Sequence, residues 1–513
     1  MKETLKLLCL IMVVLALSFS LTGCPPDPED MPNENEENID DDQEEQEPDP
    51  TLEEIIAEQL REQEGTIEKP AALKLEVDLG IMFDNADNWH RILKIIEAEN
   101  KYVDLDLSDC IVSHSFFDPD YTITEGKDKI IKITLPDTSV DIIGVDNLNS
   151  DKRAFIHFTN LEFAGGKNIK HIGSRAFYLC GKLKEADFPK LEDFDDLVFA
   201  SCVNLVKADF PALVSIGNYA FSGCTNLKTV NFPELINIKP YTFSDCTNLE
   251  TANIPKNKHI DQRAFDNCKN LTEVYFPLTA GDLGNFAFND CIKLEKAYLP
   301  KVEVIHSRAF FNCVNLKETD FSSAVHIADH AFYNCTSLEE VVFPKAMIIE
   351  PMSFGNCISL TTARFLADPD PALDDDLKLV HPLSPWLNKE PGLPCVKETI
   401  LFYNNAFNGC ASLETLDIRY SWNVYFVGNA LANIGKKLTL YLFDDDGTKS
   451  FGHPPIDIIL GSNETITLES IKFMLPSVPN NLSKVNSANG GATGYHGIAV
   501  YIAGFVTVTI ERY

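Results

Sequence analysis

The sequence has little positive charge. Lys and Arg together number 43 against 77 Asp and Glu, which gives a formal net charge of −34. Nucleic-acid binding needs Lys and Arg clustered against the phosphates, and peripheral attachment to anionic lipid needs a basic surface. The composition therefore argues against nucleic acid as a partner and against peripheral binding to an anionic membrane.

Recognisable catalytic motifs are missing as well. There is no His-Glu-x-x-His pair, no phosphate-cradling glycine loop and no Gly-x-Ser-x-Gly elbow. His326 and His330 are four residues apart, a spacing that suits a metal only on a helix. The repeat described below instead places His326 before the inward-facing Ile327 and His330 in a turn. We therefore predict no enzyme activity, no cofactor, no metal site and no small-molecule substrate.

The apolar run at the N-terminus, residues 7–20, is too short for a membrane span and has the size of a signal peptide. It ends in Leu21-Thr22-Gly23-Cys24, which resembles a bacterial lipobox. The resemblance implies cleavage before Cys24, a diacylglyceryl group on its thiol and acylation of its amine. An ordinary signal peptide cut near Gly23 is the alternative.

Residues 25–50 contain no Lys or Arg and consist mainly of Asp, Glu, Pro and Asn. Such a segment cannot bury enough apolar surface to fold, and its like charges keep it extended. We predict an acidic tether over residues 24–50 that holds the following domain away from the membrane. A calcium-binding tail is the alternative, although no spaced ligand pattern supports it.

Repetition is the feature that the sequence has in abundance. Cysteines recur at a spacing of 22 residues, with one step of 23 to Cys291 and an insertion before the last copy. A fixed period in this range is typical of a solenoid. In each copy Leu-x-x-apolar-x-Phe-Pro predicts a short strand with alternate residues inward, ended by proline. The repeat cysteines are Cys180, Cys202, Cys224, Cys246, Cys268, Cys291, Cys313, Cys335, Cys357 and Cys410.

The repeat pattern resembles a known family. Residues 216–233 read Ile-Gly-x-x-Ala-Phe-x-x-Cys-x-x-Leu-x-x-Val-x-Phe-Pro, which is similar to the BspA-like bacterial leucine-rich-repeat surface proteins. The match is strong over 172–365 and 403–418 and weak over 102–165. It implies a leucine-rich-repeat solenoid, with parallel strands stacked into one curved or elongated sheet. It also implies surface display and adhesion to host extracellular proteins.

The segments on either side of the repeats are predicted to form caps at the two ends of the solenoid. We predict a signal peptide at 1–23, the tether at 24–50, an α/β N-terminal cap with degenerate repeats at 51–165, the solenoid at 166–418 with an insertion at 366–399, and a β-rich C-terminal cap at 419–513. The capping box at Thr51 predicts a helix to about Glu64, where Gly65 stops it. A second helix is expected from Asn88 to Asn100, and a strand at 505–510 is expected to seal the C-terminal edge.

The repeat cysteines of an exported protein could pair as disulfides. Stacked repeats, however, would hold neighbouring cysteine side chains parallel to each other and not converging, which strains a bridge. We therefore favour buried free thiols that act as small inward-facing hydrophobic residues.

Outward-facing residues at corresponding positions should form columns along the stacked strands. In one column Tyr275 and Tyr298 are neighbours, and exposed aromatics of this kind are enriched at protein interfaces. The alternative is a solvated face chosen only for solubility and strand propensity. The predicted ligand-binding residues are Tyr275, Tyr298, Glu273, Lys296, Asn253, Asp320 and Arg364, with Trp386 in the insertion.

Taken together, these features predict a non-enzymatic binding scaffold, lipid-anchored through Cys24 to the bacterial envelope at the outer membrane or cell surface. Its expected partners are extracellular or host proteins, by protein–protein contact. A structural or self-assembling envelope protein without a foreign ligand is the first alternative, and an enzyme is the second.

Overall fold

A computed structural model describes residues 50–80, 87–112, 116–119, 123–137, 140, 142–144, 154–365 and 399–418, and beyond them 423–426, 430–431, 434, 438–441, 458–460, 471–473, 494–495 and 498–502. The chain forms two units, Met1–Pro50 and Thr51–Tyr513, and every element below belongs to the second. The signal peptide with Cys24, the tether, the insertion with Trp386 and the strand expected at 505–510 lie outside the described residues.

The first helix, α1 (Leu52–Leu60), begins at the predicted capping box. The Thr51 amide donates to Glu54 Oε2 at 2.8 Å, and the Glu54 amide donates to Thr51 Oγ1 at 3.3 Å. The helix ends at Leu60, before the predicted Glu64, because the side chain of Gln63 forms hydrogen bonds with the next strand. Gln63 exchanges hydrogen bonds of 2.7 and 2.8 Å with the backbone of Ala72. Its side-chain amide thus replaces a strand neighbour at the open edge of the sheet.

The second helix, α2 (Asn88–Glu99), begins at Asp87, whose carboxylate accepts from the His90 amide, and ends at Asn100 in the left-handed conformation. Its buried face consists of Trp89, His90, Ile92, Leu93 and Ile96. Leu93 is fully buried there, whereas Ile95 is only partly buried. Within the part of the chain that the structure describes, no helix combines the length and the apolar character needed to cross a bilayer.

Each repeat contributes two strands. The first ladder contains the strand predicted from the Leu-x-x-apolar-x-Phe pattern, and its strands pair in parallel with their neighbours within each sheet. Its members are β1 (Ala71–Lys74), β2 (Val103–Asp106), β4 (Ile130–Thr134), β6 (Phe163–Gly165), β8 (Glu185–Asp187), β10 (Lys207–Asp209), β12 (Thr229–Asn231), β14 (Thr251–Asn253), β16 (Glu273–Tyr275), β18 (Lys296–Tyr298), β20 (Glu318–Asp320), β22 (Glu340–Val342), β24 (Thr362–Arg364), β26 (Thr415–Asp417), β28 (Leu438–Tyr441) and β30 (Ile471–Phe473).

The second ladder lies on another side of the repeat and is built mostly from strands of two residues. Its members are β3 (Phe116–Phe117), β5 (Ile142–Ile143), β7 (His171–Ile172), β9 (Asp193–Phe194), β11 (Ser215–Ile216), β13 (Asn237–Ile238), β15 (His259–Ile260), β17 (Ala280–Leu283), β19 (Lys301–Ile305), β21 (His326–Ile327), β23 (Ile348–Ile349), β25 (Thr399–Phe402), β27 (Asn423–Phe426), β29 (Ile458–Leu460) and β32 (Ile498–Ile502), which also pairs antiparallel with β31 (Gly494–Tyr495).

The predicted solenoid of stacked parallel strands is confirmed, and the structure shows in addition how the strands divide into sheets. The first ladder divides into four hydrogen-bonded sheets, β1-β2-β4-β6-β8, β10-β12-β14, β16-β18-β20 and β22-β24-β26-β28-β30, and the second ladder into two. Two-residue strands are too short to show an alternation of period two, so the sequence pattern revealed only their inward isoleucines. Strands also continue in register past residue 418, where the repeat pattern fades; Thr415 is opposite Thr439.

Phenylalanine rings fill the interior as one continuous stack. Consecutive rings have centroids 5.1 to 5.7 Å apart and planes within 23° of parallel. The stacked residues are all fully buried: Phe177, Phe199, Phe221, Phe243, Phe265, Phe288, Phe310, Phe332, Phe354 and Phe407. The inward register predicted for this column is confirmed.

The ten repeat cysteines and Cys110 are buried free thiols, as predicted. The thiol of Cys224 donates to the carbonyl oxygen of Phe199 at 3.0 Å, and the same contact to a phenylalanine of the preceding repeat recurs in the other copies at 3.0 to 3.6 Å. Cysteine is thus small enough for the interior and also supplies a donor to a buried carbonyl, which alanine would not. Burial raises the pKa of the Cys224 thiol to about 12.

Two backbone positions in each full repeat adopt the left-handed conformation. In one copy they are Tyr241, with φ of 58°, and Asp245, with φ of 62°. Asn and Asp tolerate this conformation well, which explains their frequency before the repeat cysteine. Tyrosine does not, and its backbone is held there by hydrogen bonding between repeats, since the Tyr241 amide donates to the Gln262 carbonyl oxygen at 3.0 Å.

Candidate binding face

Tyr275 and Tyr298 stand side by side on the solvent side of the first ladder. They are paired residues of β16 and β18, and their ring centroids are 4.8 Å apart with planes 14° from parallel. This matches the expected spacing of one strand. Tyr275 is 63% exposed and Tyr298 is 38% exposed, so the pair is an apolar surface held on a hydrogen-bonded sheet. Its backbone needs no ordering on binding.

Charged side chains border the tyrosine pair on the same strands. Lys296 Nζ lies 3.0 Å from Glu318 Oε2, and this hydrogen bond raises the pKa of Lys296. Glu273, the residue opposite Lys296, is exposed and forms no ion pair among the described residues. Asp320 is opposite Tyr298 and accepts from the amide of Ser322 at 3.1 Å. The border therefore combines one cation paired with Glu318 and two carboxylates, Glu273 and Asp320, that form no ion pair with any residue the structure describes.

The structure places two other predicted residues differently. Asn253 belongs to β14, which ends a sheet, so no ladder hydrogen bonds join it to β16. Its side-chain amide donates to Asn231 Oδ1 at 2.6 Å. Arg364 lies in β24, on a sheet separate from both tyrosines, and its guanidinium is 3.0 Å from Glu340 Oε1. Five of the predicted residues thus form one group, with Asn253 beside it and Arg364 apart from it.

The column that contains the tyrosines is outward-facing over most of its length, but not at its end. Asp417, which the sequence pattern places in this column, is buried with 3% exposure. The strand that follows in the sheet, β28, pairs with β26 across this position. Asp417 is therefore not part of the exposed column.

A groove of about 460 Å³ lies at the other end of the column, between β8 and β10. These strands belong to different sheets and are not hydrogen-bonded to each other. Its wall includes Glu185, Asp187, Lys207 and Asp209, and Lys207 Nζ is 2.7 Å from Asp209 Oδ2. The groove is open and charged, with no aromatic side chain in its wall.

A second, partly exposed aromatic column, which the sequence analysis did not find, follows the left-handed turns. Tyr219 stacks on Tyr241 with centroids 4.4 Å apart. Further along, the guanidinium groups of Arg263 and Arg308 lie 4.2 and 5.4 Å from the ring centroid of Phe286. Aligning the residue before the repeat alanine, as was done for the strand positions, would have revealed this column.

Histidine–carboxylate pairs lie along the second ladder. His171 contacts Asp193 through Nδ1, and its Nε2 lies 3.6 Å from Asp195 Oδ2. The hydrogen bonds to Asp195 and Asp193 raise the pKa of His171 to about 9, against the effect of partial burial. His326, which we expected to be solvated or locally packed, is buried, with Nε2 2.9 Å from Glu350 Oε1. Across the described ranges, no three His, Cys, Asp or Glu side chains converge in a way that could hold a metal ion.

Stacked parallel strands, short period and an inward phenylalanine column define the class as a leucine-rich-repeat solenoid. A family model for the BspA type leucine rich repeat region matches six copies at residues 149–271 and 236–361. The predicted family is therefore confirmed: residues 149–361 are BspA-type leucine-rich repeats. A search of curated proteins found no match.

Several solved structures are similar to this chain at low identity. A leucine rich cell surface protein from Faecalibacterium prausnitzii is 22% identical, with 62% of this chain and 88% of that chain covered and a TM-score of 0.33. A leucine-rich repeat protein from Bacteroides ovatus is 19% identical over 55% of this chain and 83% of its own, with a TM-score of 0.26. The pneumococcal vaccine antigen PcpA is 18% identical over 68% and 80%, with a TM-score of 0.28.

Proposed function

We propose that this chain is an exported, lipid-anchored binding protein without enzymatic activity, and that the face around Tyr275 and Tyr298 binds protein partners outside the cell. The observation that carries the proposal is a stacked tyrosine pair, exposed on strands whose backbone is fixed by the ladder. Tyrosine contributes large contact area with few rotatable bonds, and for this reason is enriched among residues that dominate binding energy.

The surroundings of the pair support the same proposal. Glu273, Lys296, Glu318 and Asp320 lie next to the rings in register, which gives an apolar centre with a polar border. A preorganised sheet surface also binds without the entropic cost of ordering a loop. Asn253 and Arg364 contribute at most to the periphery of such an interface, and Trp386 in the insertion is the next candidate.

Localisation is the second part of the proposal. Cys24 follows the apolar segment in a lipobox-like sequence, and the BspA-type repeat is the scaffold that follows it. We expect the lipid to anchor the chain in the bacterial envelope, at the outer membrane or cell surface. Cys24→Ala should release the full-length protein from membranes or block its maturation. Normal cleavage and unchanged membrane partition of this variant would contradict the anchor.

The binding proposal is tested by capture from mixtures of extracellular-matrix and serum proteins. The wild-type chain and the Tyr275→Ala/Tyr298→Ala variant are immobilised in equal amounts, and captured proteins are compared. Val342→Ala is a matched control, since Val342 is exposed in the same column on a neighbouring sheet. Capture that is lost only in the tyrosine variant supports the proposal. In a parallel experiment the soluble chain is added to the mixtures, and capture of these added copies alone would favour the self-assembling alternative.

A further inference from the structure

The ring of Tyr275 is packed against another ring on one face only. It stacks on Tyr298 and makes no other ring contact among the described residues, and none of these residues places a cation over it. On the side away from Tyr298 the sheet ends, because β14 and β16 are not hydrogen-bonded. The residue of β14 at this position is Asn253, whose short side chain is bound to Asn231. This leaves 63% of Tyr275 in solvent.

Elsewhere on the same molecule, a partly buried aromatic ring is already paired with cations. Phe286 has the guanidinium groups of Arg263 at 4.2 Å and Arg308 at 5.4 Å from its centroid, both within the range of a cation–π interaction. The electron-rich face of a tyrosine attracts a cation in the same way. Tyr275 therefore offers the aromatic partner of a cation–π interaction, and no described residue supplies the cation.

Charge around the ring favours a cation over an anion. Glu273 is two residues from Tyr275 on the same side of β16, is exposed, and has no ion-pair partner among the described residues. Asp320 likewise forms no ion pair within the described part of the chain. Lys296, the residue opposite Glu273, is paired with Glu318 at 3.0 Å. The formal charge of −34 adds a long-range attraction for basic molecules.

We infer that the partner docks on this face through a basic segment, with an Arg or Lys side chain over the open face of the Tyr275 ring and an ion pair to Glu273. The inference rests on the proposed function of the site and adds the chemistry of the partner. Arginine fits better than lysine, because its planar guanidinium can stack on the ring while it donates to the carboxylate.

The probe is a fluorescently labelled hexa-arginine peptide, compared with hexa-citrulline, which keeps the shape and loses the charge. Its affinity for the full chain is measured by fluorescence anisotropy at physiological salt. Tyr275→Leu removes the π face and keeps apolar area, and Glu273→Gln removes the charge and keeps size. We expect a loss of affinity of at least about five-fold for Tyr275→Leu and about three-fold for Glu273→Gln.

Glu185→Gln is the matched control. Glu185 occupies the corresponding position of β8, is exposed, and lies several repeats away from Tyr275, so its effect should stay below about two-fold. Wild-type affinity of Tyr275→Leu, together with the same affinity for Glu273→Gln and Glu185→Gln, would show that the peptide responds only to net charge and would overturn the inference. Absence of hexa-arginine binding, or equal binding of hexa-citrulline, would overturn it too.

The outcome is separable from the test of the proposed function. If captured partners depend on the tyrosine pair but bind equally well to Glu273→Gln and are insensitive to salt, the binding function stands and the basic partner is refuted. If hexa-arginine depends on Tyr275 while the tyrosine double variant captures every protein as well as wild type, the cation site stands and the proposed function is refuted.

Discussion

Phe265→Ala tests the interior most severely, because it removes one ring from the middle of the phenylalanine stack. Phe265 is fully buried. Its ring centroid lies 5.1 Å from those of Phe243 and Phe288 and 6.0 Å from that of Phe276. Alanine at this position leaves a ring-sized cavity with aromatic walls. The repeats on both sides cannot readily close it, since β13, β15 and β17 pair in the second ladder and the amides of Phe243 and Phe265 donate to the carbonyl oxygens of Ala264 and Ala287 in the following repeats.

The magnitude follows from these contacts. Truncation of a buried phenylalanine costs about 3–5 kcal/mol, and each well-oriented aromatic pair contributes about 0.5–1.5 kcal/mol beyond its buried area. Because Phe265 stacks on both neighbours and the cavity cannot collapse, we expect about 4–5 kcal/mol of the free energy of unfolding to be lost. The same truncation at an end of the stack, where the ring has only one neighbour, should reduce the free energy of unfolding by less.

The assay is urea denaturation followed by circular dichroism, with both the midpoint and the slope compared, because repeat arrays can unfold in sections. Tyr275→Ala is the control for removal of an aromatic ring from the same repeat. It lies on the surface and should change the free energy of unfolding by less than about 0.5 kcal/mol. A loss below about 1 kcal/mol for Phe265→Ala, at unchanged slope, would refute the inward register of the column.

Three further predictions concern the thiols, a histidine and the N-terminal edge. A thiol reagent such as DTNB should react with few thiols in the native protein and with about ten more after denaturation. The reason is that burial raises the pKa of thiols such as Cys224, to about 12, and blocks access of the reagent. Essentially no reactive thiols in denaturant without reductant would show that the cysteines are paired. Because the pKa of His171 is raised to about 9, its protonated form stabilises the fold fully below about pH 6.5, and this contribution should be lost as the pH rises through 9. We expect the free energy of unfolding to fall by about 1–2 kcal/mol over this pH range, after allowance for solvent screening, and we expect no such fall in His171→Gln. A pH profile of His171→Gln identical to that of the wild type would contradict the assignment. Gln59→Ala combined with Gln63→Ala should expose the edge of β1, where these amides bond the backbone of Lys74 and Ala72, and should promote association seen by light scattering; a monodisperse variant would refute an edge-protecting role.

Much of the fold could be predicted because one short pattern is repeated many times. The repeat phenylalanines and cysteines lie in or beside turns, so their inward positions follow from recurrence at one place in a constant period, which also sets the strand register. The second ladder was missed because two residues, as in β13, cannot show a period. The early end of α1 was missed because Gln63 pairs with Ala72, a contact between segments that no local propensity encodes.

The candidate site could be predicted as far as it depends on register. Tyr275 and Tyr298 stack as expected, since paired residues of parallel strands are neighbours by geometry. Register alone could not show that the first ladder separates between β14 and β16, which sets Asn253 beside the pair. It also could not show that Asp417 is buried, because burial there depends on strands beyond the recognisable repeats.

The affinity of a captured partner for the Tyr275→Ala/Tyr298→Ala variant tests the central claim most directly. The dissociation constant is measured by calorimetry for the full-length wild type, the double variant and Val342→Ala, with equal thermal unfolding of all three as the folding control. We predict a loss of at least about 2 kcal/mol for the double variant, which is roughly thirty-fold in affinity, as for truncated hot-spot residues. Val342→Ala should stay within about two-fold of wild type. Wild-type affinity in the double variant would contradict the claim that this face binds the partner.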